Sequence, residues 1–289
     1  MAARSIGGAL GAAILAVAIA ACGAPVPAES AARSASRAAS LSAPAPDRVV
    51  DLPAKLHEAS GLAVTADGRV LSHNDEHAVV REIDPATGAI VKSFHVGDLK
   101  GDFEDIAVAG DGAIWLLDSN GVLLRFMEGA DGAQAPFETV DTGLKDTCEL
   151  EGLAWRATSR SLILACKVMH ARAMRDRVEL YEWSIEGRRL TPLLNLPMAS
   201  LAAAAGVAAF HPSAVQIDPA SGRIVLLAGR EQALVELDPA GAVLAGRRFG
   251  AEHPQPEGLA ILPDGALLIA DEGPKKHIPA RLTRYARTP

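Results

Sequence analysis

Residues 257–271 read EGLAILPDGALLIAD, and this stretch decides the fold. A β-type run over 259–262 meets Asp264-Gly265, a pair suited to a tight hairpin, and a second run follows over 266–269. The same head recurs upstream as Ser60-Gly61-Leu62-Ala63, Glu104-Asp105-Ile106-Ala107, Glu151-Gly152-Leu153-Ala154 and Ser213-Ala214-Val215-Gln216, at steps of 44, 47, 62 and 44 residues. A period of about 40 to 50 residues marks propeller blades. The first unit continues through runs over 78–83 and 90–96, divided by the turn from Asp84-Pro85 to Gly88, so each unit holds four strands. The fifth unit supplies only three, and the run over 48–52 at the other end of the body supplies the missing outer strand. Such closure removes the exposed edge of an open blade. The sequence therefore predicts an all-β, five-bladed β-propeller of four-stranded blades over 48–289. The even repeat argues against a β-sandwich, and the excess in the 62-residue step is an Ala-rich insertion, 198–210, suited to a short helix.

Ahead of the body the chain changes character. Arg4 precedes an uncharged, mostly apolar stretch over 6–21 that ends Ile19-Ala20-Ala21-Cys22, with the layout of a signal peptide. The four closing residues resemble a bacterial lipobox, which makes 1–21 a lipoprotein signal peptide and Cys22 the lipidated N-terminus. Residues 22–47 are rich in Ala, Ser and Pro and bury too little to offset their ordering entropy, so they are expected to be a disordered tether. Gly23 after the cysteine, where an aspartate would retain a lipoprotein at the inner membrane, points to the cell envelope at the periplasmic face of an outer membrane.

Composition excludes one class of partner. The formal charge is −7, from 28 basic and 35 acidic residues, and offers no basic surface for nucleic acid. The expected partners are a membrane, through the lipid, and an unidentified ligand or envelope protein.

In a propeller the start of each first strand and the end of each second strand share one face, the channel mouth. Glu104, Glu151 and Glu257 fall at first-strand starts, and Asp75, Asp118 and Asp271 follow second strands. Crowded carboxylates repel unless a cation compensates, and oxygen donors suit calcium. The three glutamates are thus candidate metal ligands and the three aspartates weaker ones, set against turn capping or pairing with Lys167 and Arg230. His73, Asn74 and Asp75 lie beside Glu76 and His77 in a turn, and His211 and His253 each precede a proline near the same mouth. Cys148 and Cys166 flank one hairpin, where an exported protein favours a disulfide. No nucleophile elbow, zinc-protease, P-loop or dinucleotide motif appears, so catalytic residues are unassigned.

The ordered segments Glu58-Ala-Ser-Gly-Leu62, Ser72-His-Asn-Asp75, Asp102-Phe-Glu-Asp-Ile-Ala107, Glu149-Leu-Glu-Gly-Leu-Ala154, Pro212-Ser-Ala-Val-Gln-Ile-Asp-Pro219 and Gln255-Pro-Glu-Gly-Leu-Ala260 resemble the SdiA-regulated family of bacterial propellers. The resemblance runs from about Leu52 to Tyr285. It implies a five-bladed fold distantly similar to NHL-repeat proteins and a calcium site whose acids match Glu104, Glu151 and Glu257. Ser213-Ala214 departs from the family's usual Ser-Gly, and Cys166-Lys167 stands where an acidic residue is common. The family brings no established activity. The leading expectation is an exported, lipid-anchored propeller that binds calcium and a ligand or partner at the mouth. The alternative is a metal-dependent hydrolase of the lactonase or esterase-like phytase type, with metal-held water as nucleophile.

Overall fold

The computed structural model describes residues 40–275 and 277–288. The expected signal peptide, Cys22 and the first part of the tether lie outside them. The described part falls in one compact unit, 37–289.

Five sheets form, one per repeat, each an antiparallel meander from an inner first strand outward. Blade 1 runs Ala59–Val64, Val70–Asn74, His77–Ile83 and Ile90–Lys100. Blade 2 follows as Phe103–Val108, Ile114–Asp118, Val122–Phe126 and Phe137–Asp141, and blade 3 as Cys148–Arg156, Ser161–Met169, Arg177–Ser184 and Arg189–Pro197. Blade 4 comprises Ala214–Ile217, Ile224–Ala228, Ala233–Leu237 and Val243–Arg248. Blade 5 has Pro256–Ile261, Leu267–Asp271 and Arg281–Tyr285, and its fourth strand is Arg48–Asp51, antiparallel to the third with Arg48 opposite Arg284. The chain is thus a five-bladed β-propeller of four-stranded blades, and blade 5 pairs strands from both ends of the body. Blade 1 gains a two-residue parallel addition, Gln134–Ala135, which the repeat did not announce.

Burial follows the meander. The second strands are nearly solid apolar, as in Ile224–Ala228, because both faces pack against neighbouring blades. The 198–210 insertion contains the helix Met198–Ala205, closed by Gly206 in the left-handed region, φ 73°. It lies against the outer strand of blade 4, where a Cβ on Gly246 would sit 2.7 Å from the Ala204 backbone, so glycine sets that approach.

The end of the expected tether is docked against the body. Leu41 is 9% exposed in a cluster with Ala214, Val225, Leu227, Phe249 and Tyr285. Its N–H donates to both oxygens of buried Glu236, at 2.9 and 3.0 Å, and its carbonyl accepts from Thr288 N–H. Ser42 bridges Arg287, and Ala43 N–H donates to the Ala286 carbonyl. Among the described residues the docked chain therefore begins ahead of Arg48, with Leu41 to Ala43 already held on the body. The reason is a groove between blades 4 and 5, which local composition does not report.

Candidate functional site

Strand register builds the mouth. In blade 1 Ala59 pairs Asn74 and Gly61 pairs His73, which leaves Ser60 as the extra residue of a bulge. The same irregularity falls on Glu104, on Glu151 and on Glu257. A bulge re-aims its side chain and bends its strand, so these three glutamates leave the alternation that buries their neighbours. Blade 4 lacks the bulge and carries Ser213 at this position. Two residues past the second-strand partner of the residue that follows each bulge position, the register places Asp75, Ser119, Lys167, Gly229 and Glu272. Two residues before the bulge positions stand Glu58, Asp102, Glu149, His211 and Gln255.

The acids act on one another. Burial first, then Glu151, Asp102 and Glu257, push Glu104 up to about 9. Burial lifts Glu151 to about 8 against the pull of Lys167, and burial with Glu272 lifts Glu257 to about 7. Glu272 also rises to about 7, through burial and then Asp75, Glu58 and Glu151. Asp75 is raised by burial and by Glu58, and its Oδ1 is buried without a hydrogen-bond partner among the described residues. Lys167 is the basic side chain that reaches all four of these glutamates. Its ammonium is ion-paired to Glu151 and lies 3.7 Å from Glu149.

Several expected residues do other work. Asp118 caps its own turn, accepting from Asn120 N–H at 2.7 Å. Asp271 is 1% exposed and accepts from His253 Nδ1 at 2.6 Å, while Tyr285 donates to His253 Nε2 at 2.6 Å. Both aspartates take the structural alternative, and His253 belongs to a packed core instead of the mouth. His73 is fully buried, donates Nδ1–H to the Asn74 carbonyl, and is held neutral by burial that lowers it to about 4. Of the three expected aspartates Asp75 joins the glutamates, and Asp102, two residues before Glu104, acts on them as well. Glu58, Glu149 and Glu272 join them too, and the signal that finds them is the offset from each bulge residue.

Beside the acids a pocket of about 310 Å³ is lined by Lys167, His211, Ser213, Arg230, Gln255 and Glu257. His211 Nδ1 donates to Glu231 at 2.7 Å, and that contact outweighs burial to hold Glu231 low. Cys148 and Cys166 form a disulfide with Cα atoms 5.7 Å apart, fixing the hairpin from which Glu149, Glu151 and Lys167 project. The far end of the channel is lined instead by apolar first-strand ends such as Val64, Val108, Ile217 and Ile261.

The donor type suits calcium, but the arrangement does not. Among the described residues no three His, Cys, Asp or Glu side chains gather closely enough to hold a metal ion, and an ammonium stands inside the cluster. What the mouth offers is buried, mutually repelling carboxylate in excess of its counter-charges, Lys167 within the cluster and Arg230 in the pocket beside it, a surface that favours a positively charged group.

The model of the SdiA-regulated family matches residues 51–278. No curated protein sequence matches the chain. Among solved structures, glutaminyl cyclase of Myxococcus xanthus is 14% identical with a TM-score of 0.57, covering 85% of this chain and 97% of that one. The PQQ-bound aldose sugar dehydrogenase of Streptomyces coelicolor is 14% identical with a TM-score of 0.54, covering 84% and 100%. At these identities the likeness is one of fold.

Proposed function

We propose that this chain, which belongs to the SdiA-regulated family, is an exported, lipid-anchored propeller that binds a cationic group of a ligand or partner at its acidic mouth. Residues 19–22 support the anchor. The observation that carries the binding reading is the gathering of Glu104, Glu151, Glu257, Glu272 and Asp75 around the counter-charge of Lys167, an excess of acid that the neighbouring Arg230 does not balance. A bound ammonium or guanidinium relieves that repulsion and holds the carboxylates ionised.

Because the bound state needs ionised acids, binding releases protons. Glu104 near 9, Glu151 near 8, and Glu257 and Glu272 near 7 are progressively ionised as pH rises. Affinity therefore increases from neutral to alkaline pH.

The test is thermal unfolding of the exported chain with spermidine, a linear polycation, at low and high pH. A ligand at 100 times its Kd adds about 2.7 kcal/mol to the folded state. The expected result is a rise in Tm that grows with pH and is lost in Glu104→Gln/Glu257→Gln. No rise at alkaline pH, or a rise the double variant keeps, refutes the reading.

A further inference from the structure

The mouth carries five register-equivalent positions on the second-strand side of the blades, each two residues past the partner of the residue after the bulge position, and their occupants differ in sign. Blades 1 and 5 place Asp75 and Glu272 there, blades 2 and 4 the uncharged Ser119 and Gly229, and blade 3 a lysine. We propose that Lys167 is a built-in cation of this mouth, occupying with its ammonium the position a divalent metal would need, so that the chain selects organic cations over calcium. The proposal rests on the reading of the mouth as a cation site and adds to it what sets the cation class.

Three observations carry it. Lys167 lies within the second strand of blade 3, Ser161–Met169, at the register shift opposite the Glu151 bulge of the first, and the two side chains close into an ion pair. A second carboxylate from the same strand, Glu149, lies 3.7 Å from the ammonium, so the nitrogen is held from two sides. The pair is well shielded, with the Glu151 side chain 6% exposed and that of Lys167 21%, and a shielded pair is screened little by salt.

The base of the lysine is also fixed. Its neighbour Cys166 is joined to Cys148 across the hairpin, so the backbone that aims Lys167 into the mouth is cross-linked to the strand that carries Glu149 and Glu151. Burial works against this charge, and Glu151, Glu257 and Glu149 more than offset it, so the ammonium is held above its ordinary pKa.

The chemistry of exclusion follows. Calcium takes six to eight oxygens at roughly 2.3–2.6 Å, several of them carboxylate. Glu151 cannot serve it while paired to Lys167, and a fixed positive charge repels a dication more strongly than a monocation. An organic ammonium asks less: one or two hydrogen bonds to Glu257, Glu272 or Asp75, with Lys167 left in place. In blade 5 the register-equivalent Glu272 shows what blade 3 would offer without the lysine, an acid facing the same mouth.

The experiment is a terbium luminescence titration with calcium competition on the whole exported chain, beside Lys167→Gln and Lys167→Glu, with Tm read on the same samples. The wild-type chain is expected to bind calcium more weakly than ~1 mM, the loose end of protein calcium sites. Lys167→Glu, which supplies the acid present at Asp75 and Glu272, is expected to tighten calcium by ~100-fold, and Lys167→Gln by ~10-fold. Spermidine is titrated in parallel.

Calcium saturating the wild-type chain below ~1 mM overturns the proposal whatever the variants do, and so does a folded Lys167→Glu that gains no calcium affinity. If spermidine fails to bind while Lys167→Glu gains calcium, the role of Lys167 stands and the organic-cation reading of the mouth falls. Should Lys167→Glu fail to fold, the wild-type titration and Lys167→Gln decide.

Discussion

Leu41→Ala tests whether the segment before the first β-strand belongs to the fold. The Leu41 side chain sits among Ala214, Val225, Leu227, Phe249 and Tyr285 and is 9% exposed. Its main-chain bonds, to Glu236 and from Thr288, survive the substitution, so the loss is confined to packing. Buried Leu→Ala changes cost about 2 to 5 kcal/mol, and a segment end that can partly collapse belongs at the low end, about 2 kcal/mol. For a body of this size each kcal/mol moves Tm by about 2–4 °C, so a fall of about 4–8 °C is expected by circular dichroism on the exported chain. Beginning the chain at Arg48 removes the packing and the Glu236 contacts together and is expected to cost more. A fall below about 1 °C in both proteins would refute the docked segment and restore the free tether that composition suggested.

Three further outcomes are expected. Asp218 is fully buried and takes two hydrogen bonds from Arg287, which outweigh burial and hold its carboxyl below 3.8. Its contribution is present above that value and is lost as pH falls through the folded-state value, so Asp218→Asn flattens the acid limb of the stability profile in urea titrations, and an unchanged limb counts against the pair. Tyr285→Phe removes the hydroxyl that donates to His253 Nε2 inside a buried triad with Asp271, leaving an unpaired acceptor at a cost of about 1–3 kcal/mol in denaturant unfolding. Reducing the Cys148–Cys166 disulfide costs about 3 kcal/mol by the chain-entropy estimate, read as the Tm difference with and without reductant.

Sequence alone determined the architecture, because the information is local. A hairpin needs a residue tolerant of positive φ at a set offset from two β-type runs, and Gly68, Gly112 and Gly265 supply it at φ of 86°, 82° and 78°. Repetition of that unit five times leaves few arrangements that bury both faces of the second strands, and the strand missing from blade 5 could be sought only at the other end of the body. The three glutamates were legible for the same reason, since each opens a repeat head.

Tertiary structure decided which other charges meet them. Side chains alternate across a strand, so a one-residue difference in register reverses the face: Asp271 turns inward to His253 while Glu272 reaches the mouth. The bulges at Glu104, Glu151 and Glu257 shift that alternation, and a run of β-type residues does not announce where its pairing will slip. The same holds for Lys167, whose place among acids from other blades exists only once the ring has closed, and for Leu41, whose groove is made by two blades far downstream in the chain.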